Sequence, residues 1–179
     1  SAASDVYKRQ VEFHSKANAL TDESMEIVAA AAADHGKGII IHNDAQHFSA
    51  GVDLNAFRAY IEAENWDGID GFLDRFQKAV CALKYTPVPV VGAPSGLAAG
   101  GGYEVLAHCD RLVVHTNSVM GLVEAGVGVV PGGGGIKDTF FRWHAAKDSW
   151  DEAAWQTWMN IGYGATGSSP QLSARMMYF

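Results

Sequence analysis

Apolar residues recur along the chain with the periods of helices and strands in alternation. From Asp67 to Tyr85 they return every three to four residues, which places them on one face of an amphipathic helix. The members of this face are Ile69, Phe72, Leu73, Phe76, Val80 and Leu83. Thr21, with two acidic residues directly after it, is a helix start and predicts an alanine-rich helix that ends near Gly36.

Short apolar runs between these helices have the length of buried strands. The runs are GIIIH at residues 38–42, VPVVGA at 88–93 and RLVVHT at 111–116, and VEFH at 11–14 has the pattern of a strand end. From Ile136 the sequence is helical in pattern and rich in tryptophan, with a break at residues 162–169. Strands that alternate with helices predict an α/β fold, with function at the loops that join strands to helices.

Composition limits the class of partner. The 179 residues carry a net charge of −7 and no lysine- or arginine-rich run, which argues against nucleic acid. An apolar fraction of 48% and a charged fraction of 18% are typical of one globular domain. No uninterrupted apolar stretch reaches the ~18 residues of a membrane span. Cys81 and Cys109 lie among apolar residues without a CxxC spacing, which favours free thiols and a cytoplasmic location.

The first ten residues, SAASDVYKRQ, do not fit the pattern that follows them. They lack the basic and apolar regions of a signal peptide. We interpret residues 1–10 as an unrelated leader or artefact, such as translated sequencing-adapter read-through, and residues 11–179 as the domain. The chain is then expected to be a fragment.

The segment GLAAGGGYEVLAHCD, residues 96–110, contains three consecutive glycines, Gly100–Gly102, whose backbone no side chain covers, close to the carboxylate of Glu104. A helix that starts within Gly100–Gly102 would direct unpaired N–H groups outward, so the amide near Gly101 is a candidate donor to a developing negative oxygen. Close packing of a strand against a helix explains the same glycines equally well. A second small-residue turn, FSAGVDL at residues 48–54, offers another candidate donor, the amide of Val52.

Two carboxylates accompany these turns. Glu124 lies among apolar residues in GLVEAGVGVVPGGGG, where loss of hydration is expected to raise its pKa and suit it to acid or base chemistry. Glu104 follows the glycines in the first turn of the predicted helix. Each also has a simpler explanation, because Glu104 complements a helix dipole and Glu124 fits a solvated loop.

Taken in order, FSAGVDL, PVVGAPSGLAAGGGYEVLAHCD and MGLVEAGVGVVPGGGG resemble the enoyl-CoA hydratase (crotonase) superfamily over residues 11–179. NWDGIDGFLDRFQKAVCALKY and GLVEAGVGVVPGGGGIKD are most similar to the hydratase region of multifunctional 3-hydroxyacyl-CoA dehydrogenases of fatty-acid β-oxidation. The resemblance implies a crotonase-like spiral of ββα units, truncated at both ends, that hydrates trans-2-enoyl-CoA. An isomerase of the same fold and a catalytically silent acyl-CoA-binding or assembly module are the alternatives.

Position by position, the resemblance implies an oxyanion hole in which the N–H groups of Val52 and Gly101 bind the thioester oxygen of an acyl-CoA. It maps the family's two catalytic glutamates onto Glu104 and Glu124, which hold and activate one water. Glu124 also donates the proton to the α-carbon. The residues it implies for the coenzyme A carrier are Lys16, at a phosphate, with Ala17, Ala19, Leu20, Ala50, Asp53 and Leu54.

The resemblance also sets expectations for cofactors and assembly. Coenzyme A enters as the substrate carrier, no metal or bound cofactor is expected in this chain, and NAD would belong to an adjoining domain. A homo-oligomer or a multidomain parent protein is expected. GYGATG at residues 162–167 satisfies GxGxxG, but it follows a helical pattern and is too near the last residue for a ribose-binding acid to follow, so it is not interpreted as a dinucleotide site.

Overall fold

The computed structural model describes residues 8–179. These residues form seven strands: β1 Arg9–Val11, β2 Ile39–His42, β3 Val90–Ala93, β4 Leu97–Ala99, β5 Arg111–Leu112, β6 Val119–Gly121 and β7 Thr166–Gly167. They form seven α-helices: α1 Asp22–Ala33, α2 Leu54–Glu62, α3 Trp66–Lys84, α4 Gly101–Ala107, α5 Gly135–Lys147, α6 Trp150–Gly162 and α7 Pro170–Arg175. Two 3-10 turns, Lys16–Asn18 and Glu124–Val127, flank the site described below.

The strands form two sheets. The larger one is parallel, with the order β1-β2-β3-β5, and the smaller one has the order β4-β6-β7, in which β4 and β6 are parallel and β7 is antiparallel to β6. Helices connect most of the parallel strands, because a parallel crossover needs a long connection. The predicted α/β class is confirmed.

Strand β1 begins before the predicted start of the domain. Arg9 and Gln10 pair in parallel with Ile39 and Ile40 of β2. The strand therefore includes two residues that the sequence assigned to the leader. The first seven residues of that leader lie outside the described residues.

Helix α3 follows the apolar face that predicted it. The helix begins after Asn65, whose side chain accepts a hydrogen bond from the N–H of Gly68 at 3.0 Å. Phe72, Phe76 and Leu83 are almost completely buried on its inner face. Helix α3 packs mainly against α1, and its inner face belongs to the hydrophobic core. Helix α1 begins at Thr21 as predicted, with a capping box between Thr21 and Ser24.

Several short elements differ from the prediction. The run RLVVHT gives a strand of only two residues, since β5 is the last strand of its sheet and Val113 is 67% exposed. The strands β4 and β6 were not predicted, because LAA and VMG are three-residue segments too short to show alternation. No helix within residues 8–179 combines the length and the apolar character that crossing a membrane requires.

Candidate active site

The predicted site residues lie in three turns, which follow β4, β6 and the residue Ser49 that pairs with β4. Strands β4 and β6 run in parallel, so their carboxyl ends meet, and Ser49 forms a parallel bridge with Ala98 of β4. The N–H of Ser49 donates to the carbonyl of Leu97 at 2.9 Å. The turns after Ser49, β4 and β6 carry Val52, Gly101 and Glu124 respectively, so the topology brings these turns together.

The start of α4 presents an N–H group that no helical carbonyl satisfies. Gly100 turns the chain with φ 53° and ψ −127°, a conformation that a residue with a side chain rarely adopts. Its own N–H donates to the carbonyl of Gly121 at 2.9 Å, and its carbonyl accepts from the N–H of Glu104 at 3.0 Å. Gly101 is the first residue of the helix, so its N–H has no carbonyl of the preceding turn to donate to and is directed out of the N-terminal end of the helix.

The turn that carries Val52 is held by the groups on each side of that residue. The carbonyl of Gly51 accepts from the N–H of Leu20 at 2.8 Å, and the N–H of Asp53 donates to the carbonyl of Leu20 at 3.0 Å. The N–H of Gly51 donates to Oγ of Ser49 at 3.1 Å, and that hydroxyl donates to the carbonyl of Asn18. The N–H of Val52 itself takes no part in these hydrogen bonds.

The turns that carry the two predicted donors approach each other closely. A Cβ atom built on Gly51, whose φ is +96°, would stand 3.0 Å from the carbonyl oxygen of Ala99 and 3.6 Å from the nitrogen of Gly101. A Cβ built on Gly101 would stand only 2.9 Å from Cγ2 of Val52. Glycine at these two positions is what allows the turns to approach each other so closely.

Glu104 is a buried carboxylate with two backbone donors. Its residue is 2% exposed, and Oε1 accepts hydrogen bonds from the N–H of Gly133 at 2.8 Å and of Gly135 at 3.0 Å. Burial raises the pKa of Glu104 to about 7, the hydrogen bond from Gly135 acts against that rise, and the charge of Glu124 adds to it. A carboxyl group with this pKa exchanges its proton near neutral pH.

Glu124 begins the 3-10 turn after β6 and reaches back to the start of α4. Its Oε1 lies 3.0 Å from the position that a Cβ on Gly100 would take. Its Oε2 is buried and has no hydrogen-bond partner among the residues that the structure describes. Burial raises the pKa of Glu124 as well. The charge of Glu124 therefore contributes to the raised pKa of Glu104. Both glutamates lie near the start of α4, where the N–H of Gly101 has no helical partner.

A cleft of about 820 Å³ includes Ala125, the residue after Glu124, and Gly134 in its wall, but neither glutamate lines it. It lies between the 124–134 segment and helices α5 and α6, and its lining is mostly apolar. Residues that line it include Ala125, Val130, Gly134, Phe140, Trp158 and Ile161. Its apolar lining suits an acyl chain better than a charged ligand.

The residues predicted to contact coenzyme A lie on two adjacent segments. The N–H of Ala50 donates to the carbonyl of Ala17 at 3.1 Å, so residues 16–20 run beside residues 50–54. Lys16, Ala17 and Ala50 are exposed, Ala19 is half-buried, and Leu20 is fully buried.

Asp53 and Leu54 form the start of α2. The Asp53 side chain accepts a hydrogen bond from the N–H of Asn55 at 2.9 Å, and Leu54 is 55% exposed. Of the seven predicted residues, only the side chain of Leu20 is withdrawn from the surface, since it belongs to the core.

Sequence reasoning missed the partners of Glu104. Gly133 and Gly135 belong to the PGGGG run at residues 131–135, for which no contact was predicted from the sequence. The signal was the run itself, because consecutive glycines allow several backbone N–H groups to converge on one anion.

Comparison with known proteins places the sequence and the fold among related proteins. A sequence model of the family described as "Enoyl-CoA hydratase/isomerase" matches residues 7–143. The chain is 31% identical over 169 residues to a 3-hydroxyacyl-CoA dehydrogenase of Bacillus subtilis strain 168, covering 93% of this chain and 21% of that protein. It is 36% identical over 118 residues to a fatty acid oxidation complex trifunctional enzyme of Rickettsia felis, covering 66% of this chain and 16% of that protein.

Among solved structures, an enoyl-CoA hydratase of Geobacillus kaustophilus HTA426 superposes with a TM-score of 0.80 at 21% identity, covering 94% of this chain and 62% of that one. This likeness confirms the predicted crotonase-like fold. The chain spans about a fifth of the length of the curated relatives named above.

Proposed function

Because the chain belongs to the enoyl-CoA hydratase/isomerase family, we propose that it adds water to the double bond of a trans-2-enoyl-CoA, as in fatty-acid β-oxidation. The observation that carries this proposal is the pair Glu104 and Glu124 beside the unpaired N–H at the start of α4. Two carboxylates that act on each other can hold one water and move its proton, which is the task of a hydratase.

In the proposal the N–H groups of Val52 and Gly101 bind the thioester oxygen. Water can attack the β-carbon only when the charge that moves onto this oxygen is stabilised, and fixed backbone donors need little reorganisation to do so. The close approach of the turns at Gly51 and Gly101 supports a shared oxygen between them.

The glutamates would carry the protons. The oxygen of water forms a bond to the β-carbon, and its departing proton passes to a carboxylate of the pair. Glu124 donates a proton to the α-carbon, where the electrons of the former double bond form the new C–H bond. The raised pKa values of both carboxyl groups favour this role, since a protonated member remains available at neutral pH.

We further propose where the rest of the substrate lies. The acyl chain enters the apolar cleft that Ala125 and Gly134 line, and coenzyme A lies along residues 16–20 and 50–54 with Lys16 at a phosphate. The chain needs no metal or bound cofactor of its own for this reaction. The short share of the curated relatives that it spans supports a role within a multifunctional protein. An oligomeric assembly in the cytoplasm is part of the same proposal.

The test is hydration of crotonyl-CoA, followed by the loss of absorbance of the conjugated thioester. Glu124→Gln should lower kcat about 100-fold or more with little change in substrate binding, because it removes the proton donor and keeps the shape. Glu26→Gln, at an exposed position of α1, is the matched control and should leave the rate unchanged. A Glu124→Gln rate near that of the wild type would contradict the proposed role.

Two other outcomes identify the alternatives. Conversion of a 3-enoyl-CoA to its 2-enoyl isomer, without hydration, would identify an isomerase. Calorimetric binding of a CoA ester with no change in absorbance would identify a silent acyl-CoA-binding module.

A further inference from the structure

His108 lies one helical turn after Glu104, and its ring is completely buried. Nδ1 of the ring is 2.7 Å from the carbonyl oxygen of Glu104. A carbonyl oxygen can only accept, so Nδ1 must carry a proton. In a neutral ring this leaves Nε2 as an acceptor with a bare lone pair.

Nε2 faces another acceptor. It is 3.1 Å from Oδ2 of Asp138, but the two atoms are not aligned as a hydrogen bond, and within residues 8–179 neither has any other hydrogen-bond partner. Both atoms are buried. A lone pair held against a carboxylate oxygen away from water is strongly unfavourable, whereas one proton between the two atoms turns the contact into a charge-assisted hydrogen bond.

Charged groups from three helices surround the pair. Lys84 of α3 binds Oδ1 of Asp138, and Lys137 of α5 and Glu104 of α4 act on the pair electrostatically. Burial lowers the pKa of His108, and the hydrogen bond to Glu104 and the charge of Asp138 both oppose that shift. Lys84 occupies one carboxylate oxygen, so the other is left to face the ring.

The pair also touches the loop that holds Glu104. A Cβ built on Gly134 would stand 3.0 Å from Cε1 and 3.1 Å from Nε2 of His108, so the ring packs directly on this glycine. The N–H of Asp138 donates to the carbonyl of Gly134 at 3.1 Å. Gly134 lies between Gly133 and Gly135, whose N–H groups donate to Oε1 of Glu104.

We propose that His108 and Asp138 share one proton between Nε2 and Oδ2, and that this pair is a positioning unit for Glu104. It holds Gly134 in place, so that the N–H groups on either side of that glycine stay on the carboxylate. Its bearing on catalysis rests on the proposed function, whereas the shared proton and the position of the loop do not.

The shared proton is tested by NMR of the 179-residue chain with labelled histidine and aspartate at pH 7. The ¹⁵N signals of His108 and the ¹³C carboxyl signal of Asp138 should show either a doubly protonated ring or a protonated carboxyl group. His108→Gln and Asp138→Asn assign the signals. A neutral ring together with an ionised carboxyl group at this pH would overturn the proposal.

The positioning role is tested with two substitutions at one residue. In Asp138→Asn the amide oxygen can accept from Lys84 and the amide N–H₂ can donate to Nε2 of a neutral His108, so the contacts remain without the shared proton. In Asp138→Leu they are lost. Asp74→Asn, at an exposed aspartate paired with Lys78, is the matched control.

Hydrogen exchange of the Gly133 and Gly135 amides is the readout that separates these variants. Exchange should be about tenfold faster or more in Asp138→Leu and close to the wild type in Asp138→Asn and in the control. Equal exchange in the wild type and Asp138→Leu would refute the positioning role even in an active enzyme.

If the wild type does not hydrate crotonyl-CoA, the proposed function fails, and the exchange and NMR data still decide this inference. Should Asp138→Leu not fold, exchange in Asp138→Asn must still match the wild type, and a faster rate would count against the proposal.

Discussion

Oε1 of Glu124 lies 3.0 Å from the point where a Cβ on Gly100 would stand. The glycine therefore does two things at once. It gives the chain a turn at φ 53° into α4, and it leaves room for the carboxylate to approach the start of that helix. A side chain at this position would force the carboxylate of Glu124 to shift by a few tenths of an ångström.

We expect Gly100→Ala to lower both stability and activity. The backbone conformation alone should cost about 1–3 kcal/mol of unfolding free energy. Displacement of Glu124 should reduce kcat for crotonyl-CoA by about tenfold, since a small misplacement of the proton donor already slows transfer to the α-carbon. Urea unfolding and steady-state kinetics measure the two effects.

Gly128→Ala is the matched control for backbone strain. Gly128 has φ +81°, and a Cβ there would have no neighbour within 4 Å. Its ψ of 18° places it in the left-handed α region, which a side chain tolerates better than φ 53° with ψ −127°, so Gly128→Ala should lose less stability than Gly100→Ala and should not displace Glu124. If the two variants lose activity equally, the contact between Gly100 and Glu124 has no catalytic role.

Much of this site could be predicted because its parts lie in short segments. The glycines before α4 and the turn FSAGVDL each carry their own backbone chemistry, so Gly101 and Val52 could be named without knowing the fold. Glu104 and Glu124 could be named as a pair only through the family resemblance. Their separation of 20 residues shows no periodicity that would bring them together.

The support around Glu104 could not be predicted in the same way. Gly133 lies 29 residues from Glu104, and their hydrogen bond depends on how α5 packs against α4. The contact between His108 and Asp138 depends on the same packing, so the sequence offered only two separate polar residues within apolar surroundings. Short strands such as β4 were missed for a related reason, since they are defined by their pairing partner and not by their own pattern.

The raised pKa of Glu104 predicts how stability changes with pH. Its ordinary value is 4.5 and burial raises it to about 7, so the folded state holds this proton more tightly than the unfolded state does. The contribution of the protonated group to stability is complete below about pH 4.5 and is lost as pH rises to about 7. Glu104→Gln, which stays neutral, should therefore gain stability relative to the wild type across this interval.

The gain of Glu104→Gln over the wild type should reach on the order of 3 kcal/mol at most, from the difference between 4.5 and about 7. Urea unfolding of both proteins at a series of pH values measures it, and titrating groups that do not interact with Glu104 cancel in the difference. A difference that stays constant with pH, or one that shrinks as pH rises, would show that Glu104 is not buried in its neutral form.

The approach of Gly101 to Val52 gives a test of the proposed oxyanion hole by rescue. Gly101→Ala should lower kcat about 100-fold, because the new Cβ would meet Cγ2 of Val52 at 2.9 Å and separate the two turns. The other neighbours of that Cβ, Leu20 and Phe76, lie at 3.4 Å and can give way by a few tenths of an ångström.

Val52→Ala removes Cγ2 and keeps the N–H, so the double variant should recover at least tenfold of the lost kcat. Kinetics of both single variants and the double variant form a double-mutant cycle. Strictly additive losses would mean that the two turns do not act on a common oxygen.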